Sequence, residues 1–277
     1  TVVLCLWVSV WGIIPMAVGA VVSYFCGRLI HRFADKKGLK RLWLILSVVV
    51  NMAVLLVFIR SGHSSYDVTS IFTGKGAMLK LFPVWGAGVF TLHGISYCMD
   101  IYREEIEPEK NFLLVSQYIC FFPCFYCGPI LRFSDISEQL RKPVITSGKL
   151  AEGIKLMLIG FAEKLFLSDP MYEMWQHIRG VSADSLSAAC AWLGIIAFSF
   201  AFYYELRAYS HIAQGIGSML GFELPDNFDL PFMSAGFNEL IKRFACTFYS
   251  WVRDYFYRPI CRSKDSVCLW ALILSCL

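Results

Sequence analysis

The chain has 277 residues, 57% of them hydrophobic and only 17% charged, and its mean hydropathy is +0.57. A soluble domain is nearer about 45–50% apolar and about 25% charged, because its surface must be solvated, so a soluble globule, a disordered chain, a collagen and a coiled coil are all excluded. The net charge of +4 is too small for a polyanion footprint, which excludes a nucleic-acid partner and leaves an integral membrane protein in a lipid bilayer.

Charge-free stretches define the expected spans. Residues 2–27 are long enough to cross, with Gly12 and Pro15 marking a candidate break, and 42–59 is a clean second span. Residues 81–99 form a third, interrupted only by His93. The apolar run 111–131 is a fourth, but Pro123, Gly128 and Pro129 argue against a straight helix. Residues 154–167 carry Lys155, Glu163 and Lys164, which fits either an interfacial helix or a span facing protein. Residues 185–204 are another clean span, continued by a polar-decorated stretch at 205–221, and 236–257 is amphipathic and basic. The loop between the first two spans holds Arg28, Arg32, Lys36, Lys37, Lys40 and Arg41 against Asp35 alone, which places it in the cytoplasm by the positive-inside rule. The expected architecture is therefore one all-α, polytopic domain over residues 1–277, multi-pass in the cell membrane. The chain starts at Thr1 and stops inside the apolar run 267–277, so both ends are expected to be cut from a longer protein.

Most of the eleven cysteines lie in apolar runs, where Cys acts as a small hydrophobe. Cys120, Cys124 and Cys127 are closely spaced, but aromatic neighbours and the lack of a fourth ligand argue for packing, and no metal site is assigned. The spacing of Gly217 and Gly221 lets helices approach closely, most simply within one chain.

Ionisable groups inside apolar segments are costly and are paired or functional by default. In the run from Tyr203 to His211, helical spacing puts Tyr204, Arg207 and His211 on one face and Glu205 with Tyr209 on a neighbouring one. Interhelical hydrogen bonding and a substrate lining both fit that face. His93 fits a bond to a facing carbonyl or a place in a site. The aromatic and basic mixture at 238–255 suits anchoring at the membrane interface.

Five motifs then fall in chain order. Pro83 to Gly86, followed by Ser96-Tyr97-Cys98-Met99-Asp100-Ile101-Tyr102-Arg103, resembles the PxGxSF…SYxxDxYR stretch of the membrane-bound O-acyltransferase (MBOAT) family, in its alginate O-acetyltransferase branch. Phe121-Phe122-Pro123 with Gly128-Pro129-Ile130-Leu131-Arg132 is similar to FFPxxxxGPIxR. Tyr209-Ser210-His211-Ile212-Ala213 with Leu220-Gly221-Phe222 is similar to GYSDMAIGxxxxLGF, and Pro225 to Phe232 to PxNFxxPY. Trp251-Val252-Arg253-Asp254-Tyr255 resembles WLRDY. The resemblance implies a multi-helix bundle around a channel, in which a His acts as general base on an acceptor hydroxyl and binding excludes water.

The chain departs from this pattern at two places. The His of the family's RWH motif, just before WLRDY, falls on Ala245, and the family's near-invariant catalytic His, the base that the resemblance implies, is expected beyond Leu277. The family's FDFSGYSD reads here from Tyr204 to His211, with Glu205 for its first Asp and His211 for its last. The resemblance therefore implies an O-acyltransferase of polysaccharide modification, as in alginate biosynthesis. It would move an acyl group, acetyl in the simplest case, to a hydroxyl of a cell-surface or exported polysaccharide. The donor would be a cosubstrate thioester, acetyl-CoA or an acyl-carrier thioester, with no bound cofactor, and an extracytoplasmic acyl-transfer protein is an expected partner. A degenerate relative serving as a membrane scaffold in polymer export is the alternative. On the acyltransferase reading His211 is the candidate catalytic residue, and Glu205, Arg207, Arg243, Asn227 and His93 are candidates for substrate binding. Arg243 suits an anionic substrate or partner group.

Overall fold

The computed structural model describes residues 10–62, 77–126, 128–182 and 185–260. The 2–9 end of the first expected span, most of the 61–80 loop, Cys5, Cys127 and the 267–277 run lie outside the described residues. All regular structure within them is helical.

Three long apolar helices make the front of the molecule: α1 (Val10–Arg32), α2 (Lys37–Gly62) and α3 (Ala77–Tyr102), each packed on the other two. The first runs unbroken through Gly12 and Pro15, without the expected break. Their shared centre is polar as well as apolar. Asn51 donates to the Ser47 carbonyl at 2.9 Å, and Ser47 Oγ meets Cys98 Sγ at 3.1 Å, with all three side chains buried. Apolar helices gain little by burying apolar faces away from lipid, and such hydrogen bonds help to set their register.

The expected break at 111–131 is present and divides the run into three pieces, with a further helix after it. Asn111 caps α4 (Phe112–Ile119) by accepting from the Leu113 N–H at 3.0 Å. A 3-10 turn follows at Phe122–Tyr126, then an extended stretch through Gly128 and Pro129, and α5 (Phe133–Arg141). This middle segment packs on α1 and α3 on one side and on the last long helix on the other, joining front to rear.

The rear is built from α6 (Ser147–Ala162), a π-helical turn (Glu163–Ser168), α7 (Asp169–Arg179) and the 32-residue α8 (Ala188–Met219). The expected span at 185–204 and its polar continuation are one uninterrupted helix. Thr146 and Ser187 cap α6 and α8 by accepting from Lys149 and Cys190 N–H groups. Helices α6 and α8 touch through small residues. A side chain at Gly153 would meet the Gly215 carbonyl at 2.6 Å, and one at Gly160 the Ala208 carbonyl at the same distance. Both pairs are seven residues apart, so the crossing is an antiparallel seam of small residues in which backbone meets backbone. Helix α8 ends in a Schellman turn: Gly221, at φ +91°, lets the Phe222 N–H reach the Gly217 carbonyl at 2.9 Å. Gly217 lies against Leu224 and Gly221 against Val144, so both close spacings are used inside the chain.

The basic stretch 236–257 is not one amphipathic helix. It forms α9 (Phe237–Arg243), α10 (Cys246–Trp251) and a second π-helical turn (Val252–Tyr257), then the helical turn Arg258–Ile260. The division falls at Ala245, whose left-handed backbone (φ 55°) stops α9 and starts α10 in a new direction. Among the described residues two helices, Lys37–Leu56 and Ala188–Met219, are long and apolar enough to cross a membrane.

Candidate functional site

Two polar arrangements cross these layers. The first ties three sequence motifs together around Asp254. Its carboxylate pairs with Arg132, Arg253 and Arg258, and its backbone carbonyl accepts from Arg103 at 2.6 Å. Arg103 and Arg132 also lie over the Tyr255 ring, at 5.3 and 5.8 Å from its centre. The ends of α3, the extended 128–132 stretch and the second π turn are thereby locked to one another.

The second arrangement lies where the first π turn meets α8. Lys164 Nζ lies 2.9 Å from both Glu205 oxygens and 3.0 Å from Asp169, and Ser168 donates to Glu205 at 2.7 Å. One turn further along α8, Glu163 takes two partners. Its Oε1 lies 3.3 Å from Arg207 Nε, and its Oε2 lies 2.8 Å from His211 Nδ1. Arg207 in turn donates to the Tyr203 hydroxyl at 3.2 Å. A carboxylate can only accept, so the contact calls for a proton on His211 Nδ1. Among the described residues no hydrogen bond is made to Nε2.

His211 also lines a small recess, together with Arg207, Ser210, Gln214, Asp226, Asn227 and Phe228. Gln214 donates to Asp226 and to the Pro225 carbonyl, both at 2.9 Å, and so holds the carboxylate in the wall. Asn227 accepts from the Thr247 hydroxyl at 2.5 Å and, through its carbonyl, from the Cys246 N–H at 2.7 Å. Thr247 also accepts from the Ile130 N–H at 3.0 Å, which joins the recess wall to the extended 128–132 stretch. The Ser210 hydroxyl is buried without a partner.

Of the residues proposed from sequence, Arg207, His211 and Asn227 come together at this recess. Glu205 lies beside them on α8 but its oxygens are taken up by Lys164 and Ser168, and it is absent from the lining. Arg243 lies outside the recess, paired with Glu239 at 2.7 Å, while Phe244 beside it packs on Phe228. His93 is in the front bundle: its Nε2 accepts from the Leu131 N–H at 3.1 Å, and its ring stacks on Tyr118, whose hydroxyl donates to the Leu131 carbonyl. Together the two rings clip both backbone groups of one residue. Glu163, Ser210, Gln214 and Asp226 are functional candidates that the sequence reading did not name. For Glu163 a signal existed, since it is a charge inside an apolar run; the others look like ordinary polar residues until the chain is folded.

The sequence was compared with known proteins. Residues 40–268 match the model of the MBOAT, membrane-bound O-acyltransferase, family. The chain is 30% identical to the probable alginate O-acetylase AlgI of Pseudomonas aeruginosa over 89% of its own length and 48% of the relative's. It is 26% identical to the peptidoglycan O-acetyltransferase of Helicobacter pylori over 89% of its length and 52% of the relative's. With the teichoic acid D-alanyltransferase of Lacticaseibacillus rhamnosus it shares 25% identity over 68% and 48%. The chain thus spans about half the length of the curated relatives it matches. The motif order, the helical bundle and these matches agree: the chain belongs to the membrane-bound O-acyltransferase family.

Proposed function

We propose that this chain is the greater part of a catalytic domain that transfers an acyl group, acetyl in the simplest case, from a thioester to a hydroxyl of a polysaccharide. The donor is acetyl-CoA or an acyl-carrier thioester, and an extracytoplasmic acyl-transfer protein completes the pathway. The observation that carries the reading is His211, bonded through Nδ1 to Glu163 in the lining of a polar recess, in a chain of an acyltransferase family. The names of the relatives, two O-acetylating and one D-alanylating, support a polymer acceptor.

The proposed setting is the cell membrane, crossed several times, with the 28–41 loop in the cytoplasm. Large apolar side chains on the outer faces of four helices support it: Phe25 on α1, Val49 and Leu56 on α2, Leu158 on α6, and Trp192 with Ile195 on α8 are all exposed. Full-length protein in membranes, given radiolabelled acetyl-CoA and de-O-acetylated alginate or peptidoglycan, should label the polymer. His211→Ala should lower that rate about 100-fold or more, the range of general acid–base catalysis; a wild-type rate in that variant would remove His211 from the chemistry.

Ala245 favours a second reading. It stands at the family's RWH His, and its methyl group cannot move a proton. As a scaffold the wild-type protein would label nothing, yet its deletion from cells would still abolish polymer acylation.

A further inference from the structure

We infer that the arginines gathered on Asp254 form a binding site for an anionic phosphate group, carried by a thioester donor or by a phospholipid headgroup. Binding there is measurable whether or not the chain transfers acyl groups; only the donor as a source rests on that reading.

Three segments distant in sequence bring guanidinium groups to one place. Arg103 follows the end of α3, Arg132 ends the extended 128–132 stretch, and Arg253 and Arg258 come from the second π turn and the helical turn after it. The Asp254 carboxylate pairs with Arg132, with Arg253 at 2.9 Å and with Arg258 at 3.1 Å. One guanidinium neutralises one buried carboxylate, and each further one adds repulsion between like charges. Holding the three segments together therefore does not account for the whole set.

Exposure shows which way the set faces. The Asp254 side chain is only 5% exposed, whereas Arg132, Arg253 and Arg258 are 35%, 44% and 64% exposed. The arginines thus cover the carboxylate and present themselves outward. Two further acids lie near the α3 side of the cluster. Glu105 is 3.9 Å from Arg103, and the buried Asp100 takes the Tyr255 hydroxyl and is close enough to Arg103 and Arg132 to feel their charge. Among the described residues Arg253 and Arg258 pair with no carboxylate but that of Asp254.

A guanidinium carries several N–H donors in a planar fork, which fits phosphate oxygens as well as a carboxylate. The hydrogen bonds among the described residues use two donors of Arg253 and one of Arg132 on the Asp254 side chain. The remaining donors sit on exposed side chains with an excess of positive charge, the condition for holding an anion. The position of the cluster narrows the ligand. Glu104, beside Arg103, pairs with Lys40 of the 28–41 loop, so the cluster shares the face proposed to be cytoplasmic. Phosphates at that face belong to CoA, to the phosphopantetheine arm of a carrier, or to headgroups of the inner leaflet.

The test reads the thermal midpoint of full-length protein in maltoside micelles, which contain no phosphate, at constant ionic strength. CoA, pyrophosphate and phosphatidylglycerol are added separately, with pantetheine and diacylglycerol as the phosphate-free counterparts. A rise of at least about 3 °C with CoA and pyrophosphate but not with pantetheine assigns the site to the phosphates of a donor. A rise of that size with phosphatidylglycerol but not with diacylglycerol assigns it to a headgroup. In either case Arg253→Gln combined with Arg258→Gln should raise the ligand concentration needed at least about tenfold. That variant keeps Arg132 on Asp254; if its own midpoint is lowered, Arg258→Gln, on the most exposed of the arginines, supplies the comparison. A variant that responds as the wild type does overturns the site, and so does an equal rise with the phosphate-free counterparts. No rise with any of the three phosphates overturns it too, and leaves the acyl-transfer reading to the polymer-labelling assay.

Discussion

Lys164 and Glu205 show how a charge is kept on a helix whose other side is apolar and exposed. The Lys164 ammonium meets both Glu205 oxygens at 2.9 Å, and the Glu205 side chain is only 5% exposed. Removing one partner of a buried pair strands the other, at a cost of about 3–5 kcal/mol, whereas replacing both with apolar groups of similar volume is often neutral. Lys164→Met should therefore be strongly destabilising in a detergent unfolding assay, and Lys164→Met combined with Glu205→Leu should recover most of the loss. If the double variant is no better than the single one, Lys164 acts through Asp169 instead. The sequence marked Glu163 and Lys164 as charges in an apolar run, and placed Arg207 and His211 on one helical face. It could not pair them. His211 and Glu163 are 48 residues apart, and their meeting depends on how α6 crosses α8, which no local pattern encodes.

That crossing is set by the seam of Gly153, Gly160, Ala208 and Gly215. A side chain at Gly153 would press on the Met219 side chain and also on the Gly215 carbonyl and Met219 N–H, and backbone cannot turn aside, so one of the two helices must move. Gly153→Val should lower both the thermal midpoint and the transfer rate, because Glu163 rides on the same helix as the displaced residue. Gly38→Ala, where nothing lies within 4 Å of the added carbon, should stay within about 1 kcal/mol of wild type. Equal effects in the two variants would show that the seam does not set the crossing. Long apolar elements were legible because length and hydropathy suffice: 42–59 lies within Lys37–Gly62 and 81–99 within Ala77–Tyr102. The kink at 111–131 was legible from its prolines and glycine. The division of 236–257 was not, because Ala245 carries no residue-type signal for a left-handed backbone; alanine ordinarily favours a helix.

Across the molecule, loop carboxylates outside the spans set the response to acid. Lys40 holds the Glu104 carboxyl below its ordinary value, and Lys149 does the same for Glu223. Partial burial would raise Glu109, but the N–H groups of Asn111 and Lys110 and the Arg141 guanidinium outweigh it and hold it down. For a lowered carboxyl the stabilising contribution is complete above the unfolded value, about 4.3 for Glu. It is lost as pH falls through the lower folded value. The part of the thermal midpoint that these pairs hold should therefore be present above about pH 5 and be lost below about pH 4, a modest loss because Glu104 and Glu223 are exposed. Arg141→Gln should soften the fall; an unchanged acid limb would show that the Glu109 contact does not govern it. The helical membrane class was legible from composition alone, because composition reports the solvent that a surface must face. The joining of front and rear through the 112–132 segment was not, since it rests on contacts between distant residues.

The cluster around Asp254 has a consequence in time. Arg103 reaches the Asp254 carbonyl across 151 residues of chain, and the Arg132 guanidinium waits 122 residues for the carboxylate. At bacterial or eukaryotic synthesis rates the first interval lasts roughly 8–30 s. In that time Arg103 has Glu105, at 3.9 Å, as an acceptor in its own segment. Arrival of residue 254 is then the event that can join the three segments to one another.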